Sequence, residues 1–474
     1  MTEGRDSGDN QPRKVNVMSN GVSQRVVLVV TVVAVFLLPF MGSSVNVALP
    51  TIGQEFGMEA GLMGWVHTAY LVASAAFLVP VCRLADIYGR RRFFLYGSSL
   101  FIIASFITAI SNSAALLIAC RALGGIGGAT MTGTAIAILS SVYPPEKRGW
   151  ALGINTGSIY LGLSLGPFLG GVMTEHLGWR SLFYFAVILG LVIVALAIWK
   201  LRGEWADARG EKFDVAGSII FSVSLIVAMY GFTLLPAVPG IILLILGLLG
   251  MLAFVRWESK AESPLFNTSL FRRNRVFVFS NLAALINYSA IYAMLFLLSL
   301  YLQYIKGFSP SAAGLILLAA PVVQTIVSPV AGRLADRFES AIVASVGIAA
   351  SCVSLLLFTF LTGETGLGYI VGSLVIFGLG TALFSSPNTN AVMGSVEKRF
   401  LGVASGTAIT MRTGGMALSM GISMILFTVF IGQAEITPEY YPAFLTSLKV
   451  GFIVFVALCF CGLLAQLAGR KKGR

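Results

Sequence analysis

Of the 474 residues, 57% are hydrophobic and only 11% are charged, and the mean hydropathy is +0.88. A soluble domain is about a quarter charged, so this composition excludes a water-soluble fold and makes lipid the solvent. The formal net charge of +12 invites a nucleic-acid reading, but where the basic residues fall gives them another meaning.

Crossing about 30 Å of hydrocarbon takes roughly 20 apolar residues. Lipid offers the backbone no partner but itself, so each such run is read as a helix. A polar tail covers 1–24. The following apolar run is too long, and too poor in a cleavage site, to be a signal peptide, so it is expected to stay in the membrane. Spans 1 to 6 are predicted at 26–48, 61–81, 93–110, 115–139, 150–172 and 182–200. Spans 7 and 8 follow at 215–235 and 239–255, and spans 9 to 14 at 276–303, 312–331, 341–361, 366–386, 404–431 and 444–468. The expected fold is all-α: a six-helix bundle over 25–203, two inserted helices over 204–257, a linker over 258–275, a second six-helix bundle over 276–469, and a basic tail at 470–474.

Threading these spans puts every Lys and Arg on one side except Arg121, Arg180, Lys306, Arg412 and Lys449. The positive-inside rule assigns that basic face, with both termini, to the cytoplasm of a cell membrane. The charge is thus a topology signal, and no nucleic-acid partner is expected. The cysteines (Cys82, Cys120, Cys352, Cys459 and Cys461) lie in or beside spans without metal-ligand spacing, which implies neither a disulfide framework nor a metal site.

Two loop patterns occur twice. Arg83-Leu-Ala-Asp86 after span 2 recurs as Arg333-Leu-Ala-Asp336 after span 10, and Glu146-Lys-Arg148 before span 5 recurs as Glu397-Lys-Arg399 before span 13, at nearly the same offset. Two independent signatures in step indicate an internal duplication, with spans 7 and 8 inserted between the copies. Both copies face the same side, so the repeats are parallel, as in transporters that alternate access around a midplane site.

At these residues the chain resembles the major facilitator superfamily, and the inserted pair makes it similar to the fourteen-span drug:proton antiporter branch. The loop 2–3 signature reads Cys82-Arg-Leu-Ala-Asp86-Ile-Tyr-Gly89-Arg90-Arg91, and the span 4 signature Arg121-Ala-Leu-Gly-Gly125-Ile-Gly127-Gly128-Ala129. The span 5 antiporter signature runs from Gly157 through Gly162 to Gly166-Pro167-Phe-Leu-Gly170-Gly171. The departures are Met41 where the branch carries Asp, Gly124 where it carries Gln, and Ala186 and Ile188 where it carries Asn-x-Pro.

Arg121 is the one cation deep in a span of the first half. An Arg at the bilayer centre costs at least about 2.5–3.5 kcal/mol, so it should face the bundle interior, either to bind an anionic group or to cap backbone carbonyls. Arg412 is the weaker candidate, with snorkelling as its alternative. Asp86, Gly89 and Arg90, with Asp336 and Arg337 in the second copy, are expected to latch one conformation from the basic face. Gly162, Gly166, Pro167, Gly170 and Gly171 give span 5 a smooth face, for close packing and, by resemblance, for rocking without leak. His67 is a candidate proton relay or a packing group. Asn46, Asn155, Gln324, Asn388 and Asn390 line a cavity or bridge helices.

No Asp or Glu lies mid-span. Proton coupling and capture of a cationic drug both normally use a buried carboxylate, so the expected substrate is a neutral or anionic amphipathic small molecule. Protons are the candidate coupling ion, by an unconventional route through His67 or Asp86. There is no G-x-x-x-x-G-K-[ST] loop, and neither a cofactor nor enzymatic activity is expected. The reading is a secondary transporter, monomeric in the bilayer, that exports its substrate. Its rivals are an importer and a non-transporting sensor on the same scaffold.

Overall fold

A computed structural model describes residues 23–261, 265, 274–396, 401–432 and 434–469. Among them there is no strand; nearly all are helical. The first eight helices are α1 (Gln24–Phe56), α2 (Ala60–Tyr88), α3 (Arg90–Ala109), α4 (Ala114–Val142), α5 (Pro145–Leu177), α6 (Arg180–Lys200), α7 (Val215–Thr233) and α8 (Val238–Glu258). Then come α9 (Arg275–Ile305), α10 (Pro310–Leu317 and Ala319–Arg337), α11 (Ser340–Phe358), α12 (Leu367–Gly394), α13 (Leu401–Phe430) and α14 (Tyr441–Ala468). Thirteen are long and apolar enough to cross a membrane. The other, α5, is as long as any but is threaded with Gly, Ser and Asn, the make-up of a helix that faces other helices rather than lipid.

Most helices run past their predicted spans at one end or both, though α7 and α11 stop two and three residues short, and two helices break. In α9 the chain passes into a π turn at Tyr301–Ile305. In α10 the break falls at Leu318, where Pro321 cannot donate to the Leu317 carbonyl.

Packing repeats across the chain. In the first half α1 packs on α5 and α6, α2 on α4, and α3 on α4 and α6. Counting on by eight, α9 packs on α13 and α14, α10 on α12, and α11 on α12 and α14. The inserted α7 and α8 pair with each other, and α7 touches α2 and α13. The Glu397-Lys-Arg399 motif, the segment 266–273 and the tails 1–22 and 470–474 lie outside the described residues.

The glycine face of α5 explains its close approach to α1. A Cβ on Gly162 would stand 2.6 Å from the Phe36 carbonyl oxygen, and one on Gly170 2.6 Å from the Ser44 Cα. Gly171 points the other way, across to the second half, where its Cβ would stand 2.9 Å from the carbonyl carbon of Pro310 and from the Ser311 Cα. The span 5 signature therefore serves two contacts, one within the first half and one between halves.

Candidate functional site

The two halves meet along two seams, α2 against α13 and α5 against α10. On the face away from the basic loops hydrogen bonds bridge the halves, beside a cavity of about 230 Å³ between Gly53 and Met58 of one half and Tyr304 and Glu435 of the other. The Ala60 amide donates to the Ala434 carbonyl at 3.2 Å. Ser299 Oγ donates to the Asn46 carbonyl at 2.9 Å, and Gln303 Nε2 to the Val47 carbonyl at 3.0 Å. Glu175, at the end of α5, accepts from the amide and hydroxyl of Ser311 in the first turn of α10. A carboxylate there satisfies the unpaired amides of a helix N-terminus. At mid-depth Tyr160 and Ser385 share a hydrogen bond of 3.2 Å, and Ser164 and Thr325 one of 3.0 Å. Among the described residues, no hydrogen bond joins the halves nearer the basic face. There, Gly153 and Gly157 of α5, Gly394 of α12 and Gly406 of α13 all border open space.

Arg121, seven residues into α4 from its far-face end, is only 4% exposed. Its Nε donates to the Val66 carbonyl at 3.0 Å, and its guanidinium lies over the Tyr70 ring at 4.6 Å and near Phe183 at 5.9 Å. The next residue after Val66 is His67, equally buried, whose ring centre is 6.0 Å from that of Tyr292 on α9. One turn nearer the basic face, Tyr288 stands beside Arg412 and Ser385. Arg412 lies eleven residues into α13, at about 16 Å from its start at 1.5 Å per residue. It is half-buried. Among the described residues, neither Arg121 nor Arg412 forms an ion pair with a carboxylate.

The structure therefore brings Arg121 and His67 together and spreads the other candidates through the depth of the molecule. Asn46 belongs to the closed seam. Asn155 and Asn388 are buried in the half nearer the basic face, each with an unpartnered Oδ1. Gln324 is half-buried beside Thr325 on α10, and Asn390 is exposed. The tyrosines Tyr70, Tyr160, Tyr288 and Tyr292 were not singled out from the sequence. Their signal was the i, i+4 spacing of Tyr288 and Tyr292, which puts both on one face of α9.

On the basic face, Asp86 and Arg90 engage their own half. Arg90 pairs with Asp86 at 2.7 Å and with Asp207 at 2.6 Å, and Gly89 takes a φ of 123° that a side chain would strain. The loop after α6 straps across this corner. Arg83 pairs with Glu211 and Arg92 with Glu204; the Arg90 amide donates to the Trp205 carbonyl, and the Ala208 amide to that of Asp86. Three acids of the strap thus face the basic run, and the sequence reading missed this pairing. Arg337 is exposed, and the side chain of Asp336 lies outside the described residues. Each strap pair is partly exposed and contributes under about 1 kcal/mol alone. Neutralising Glu204, Asp207 and Glu211 together is expected to speed exchange of the Ala208 amide about tenfold, the equivalent of roughly 1.4 kcal/mol over the network. Unchanged exchange would show that the backbone bonds alone hold the strap.

A family model for the Major Facilitator Superfamily matches residues 31–420 and 281–472. The chain belongs to the major facilitator superfamily. Among its relatives in that superfamily are the riboflavin transporter RibZ of Clostridioides difficile (strain 630), 29% identical over 94% of this chain and 98% of that one, and the cephamycin export protein CmcT of Amycolatopsis lactamdurans, 32% identical over 90% of both. The multidrug resistance protein Stp of Mycobacterium tuberculosis (strain CDC 1551 / Oshkosh) is 30% identical over 84% of this chain and 75% of its own. Among solved structures, a POT family transporter in complex with 5-aminolevulinic acid superposes with a TM-score of 0.71 at 16% identity, covering 94% of this chain and 96% of that one. The last comparison carries the fold alone. The protein is a multi-pass membrane transporter of the major facilitator superfamily.

Proposed function

We propose that the protein exports neutral or anionic amphipathic molecules from the cytoplasm by alternating access. The observation that supports this is the asymmetry of the hydrogen bonds between the halves, which among the described residues lie on the far face and at mid-depth rather than near the basic face. With the basic face cytoplasmic, that is an inward-open state ready to load substrate. Relatives named for multidrug resistance and cephamycin export favour the outward direction. Every described Asp and Glu within a helix stands at its end, which supports a substrate other than an organic cation. Proton coupling, in this reading, runs through His67 or Asp86. A relative named as a riboflavin transporter, matched over nearly its full length, favours a second substrate reading, a planar heteroaromatic solute.

The seam gives the test. In a background without the native cysteines, Ala60→Cys with Ala434→Cys places two thiols across the hydrogen-bonded pair of the far-face seam. Oxidation should abolish transport into inside-out vesicles, and reductant should restore it. Undiminished transport with the bridge formed would exclude opening at this seam.

A further inference from the structure

Arg121 has its partners in the first half, but Arg412 is left unexplained. It sits on α13, its Nε buried without a hydrogen-bond partner, on the side of the molecule where Gly157 and Gly406 border open space. Around it are phenols and a hydroxyl: Tyr288 stands beside Arg412 and Ser385, and Ser385 shares a hydrogen bond with Tyr160 of the opposite half. Tyr292, one turn on, is near Tyr70, Arg121 and Arg412, with its ring centre 6.0 Å from that of His67. The two guanidiniums thus lie at two levels of the molecule with tyrosines beside both, and none of the described carboxylates neutralises either. An arginine fork presents paired donors that fit a carboxylate, and a tyrosine offers an apolar ring with one polar atom. A single acid group on a flat apolar body answers both.

We propose that Arg412, Tyr288 and Ser385 form the receiving subsite for the anionic group of an amphipathic aromatic monoacid, whose ring lies against Tyr288 and Tyr292. Arg412 accepts the acid while the basic face is open. Arg121, buried nearer the far face, is the second station, reached as the halves rock. The subsite deepens the export reading and rests on it for the direction of travel, but binding itself can be measured without transport.

The test uses the full-length protein in nanodiscs with three matched probes: 2-naphthoate, 2-naphthol and (2-naphthyl)methylammonium. Naphthoate should bind saturably, naphthol more weakly, and the ammonium not at all. Arg412→Gln should weaken naphthoate at least tenfold and leave naphthol unchanged. Tyr288→Phe, which keeps the ring and so guards against a folding artefact, should weaken naphthoate several-fold. Equal naphthoate affinity in both variants and the parent, or preference for the ammonium, overturns the subsite. Naphthoate bound at Arg412 but never carried across vesicles would uphold the subsite and sink the export reading. Naphthoate carried outward with no dependence on Arg412 would do the reverse.

Discussion

Replacing Gly171 with leucine is expected to remove most transport while leaving each half folded. A Cβ there would meet the backbone of Pro310 and Ser311, and the neighbouring Gly314 of α10 already lies against the Pro167 carbonyl. Neither backbone can yield unless the halves part on the far face. Overpacking costs about 1–3 kcal/mol. If all of it falls on the far-face-closed state, that state loses up to about 100-fold in population. A thiol introduced at Ala60 should then become reactive from the far face without substrate. Gly170→Leu gives the contrast, because Gly170 faces Ser44 inside the first half. It should lower folded yield and leave far-face reactivity unchanged. Wild-type turnover in Gly171→Leu would mean that the α5–α10 seam never governs the cycle.

The second large effect concerns Arg121. Its charged hydrogen bond to Val66 contributes about 1.5–3 kcal/mol and its place over Tyr70 about 2. Against this stands at least about 2.5–3.5 kcal/mol for holding the charge at membrane depth. The two nearly offset. Arg121→Met should therefore fold, within about 2 kcal/mol of the parent, and yet lose transport at least about 100-fold, which is roughly 2.7 kcal/mol of transition-state or binding free energy. Arg121→Lys, with the charge but without the planar fork, should fall between. Thermal unfolding and vesicle transport measured on the same preparations separate the possibilities. A loss of more than about 4 kcal/mol in stability, with unchanged transport per folded molecule, would make Arg121 a backbone cap.

The architecture was legible because lipid enforces it. Every span had to close its own hydrogen bonds and be apolar for roughly 20 residues, so the helices appeared in the sequence in order, most of them extending beyond the predicted span at one end or both. The duplication was visible in Arg83-Leu-Ala-Asp86 and its second copy, and the packing repeats in the same order. Arg121 announced itself by the cost of its burial, and the glycines of α5 by their spacing. The site was less legible. Tyr70, Tyr288 and Tyr292 are amphipathic and ordinary within a span; only assembly shows that they connect two arginines on different halves. Asp86 and Arg90 were read as a latch, and the strap whose Glu204, Asp207 and Glu211 pair with Arg92, Arg90 and Arg83 was not legible in the sequence. Arg412 was the weaker candidate in the sequence, with snorkelling as its alternative; what the sequence did not show is that it stands beside Tyr288. The break of α10 was hidden because Pro321 stands inside an otherwise continuous span.

Alternating access predicts that the two faces move in opposite senses. Spin labels at Leu177 and Phe360 report the far face, and labels at Tyr88 and Phe338 the basic face; all four side chains are more than half exposed. Pulsed electron–electron distances, taken with and without a transported substrate, should show the far-face separation lengthening in the same fraction of molecules in which the basic-face separation shortens. Distances that stay fixed, or that lengthen together on both faces, would contradict the rocking of two bundles about a central cavity.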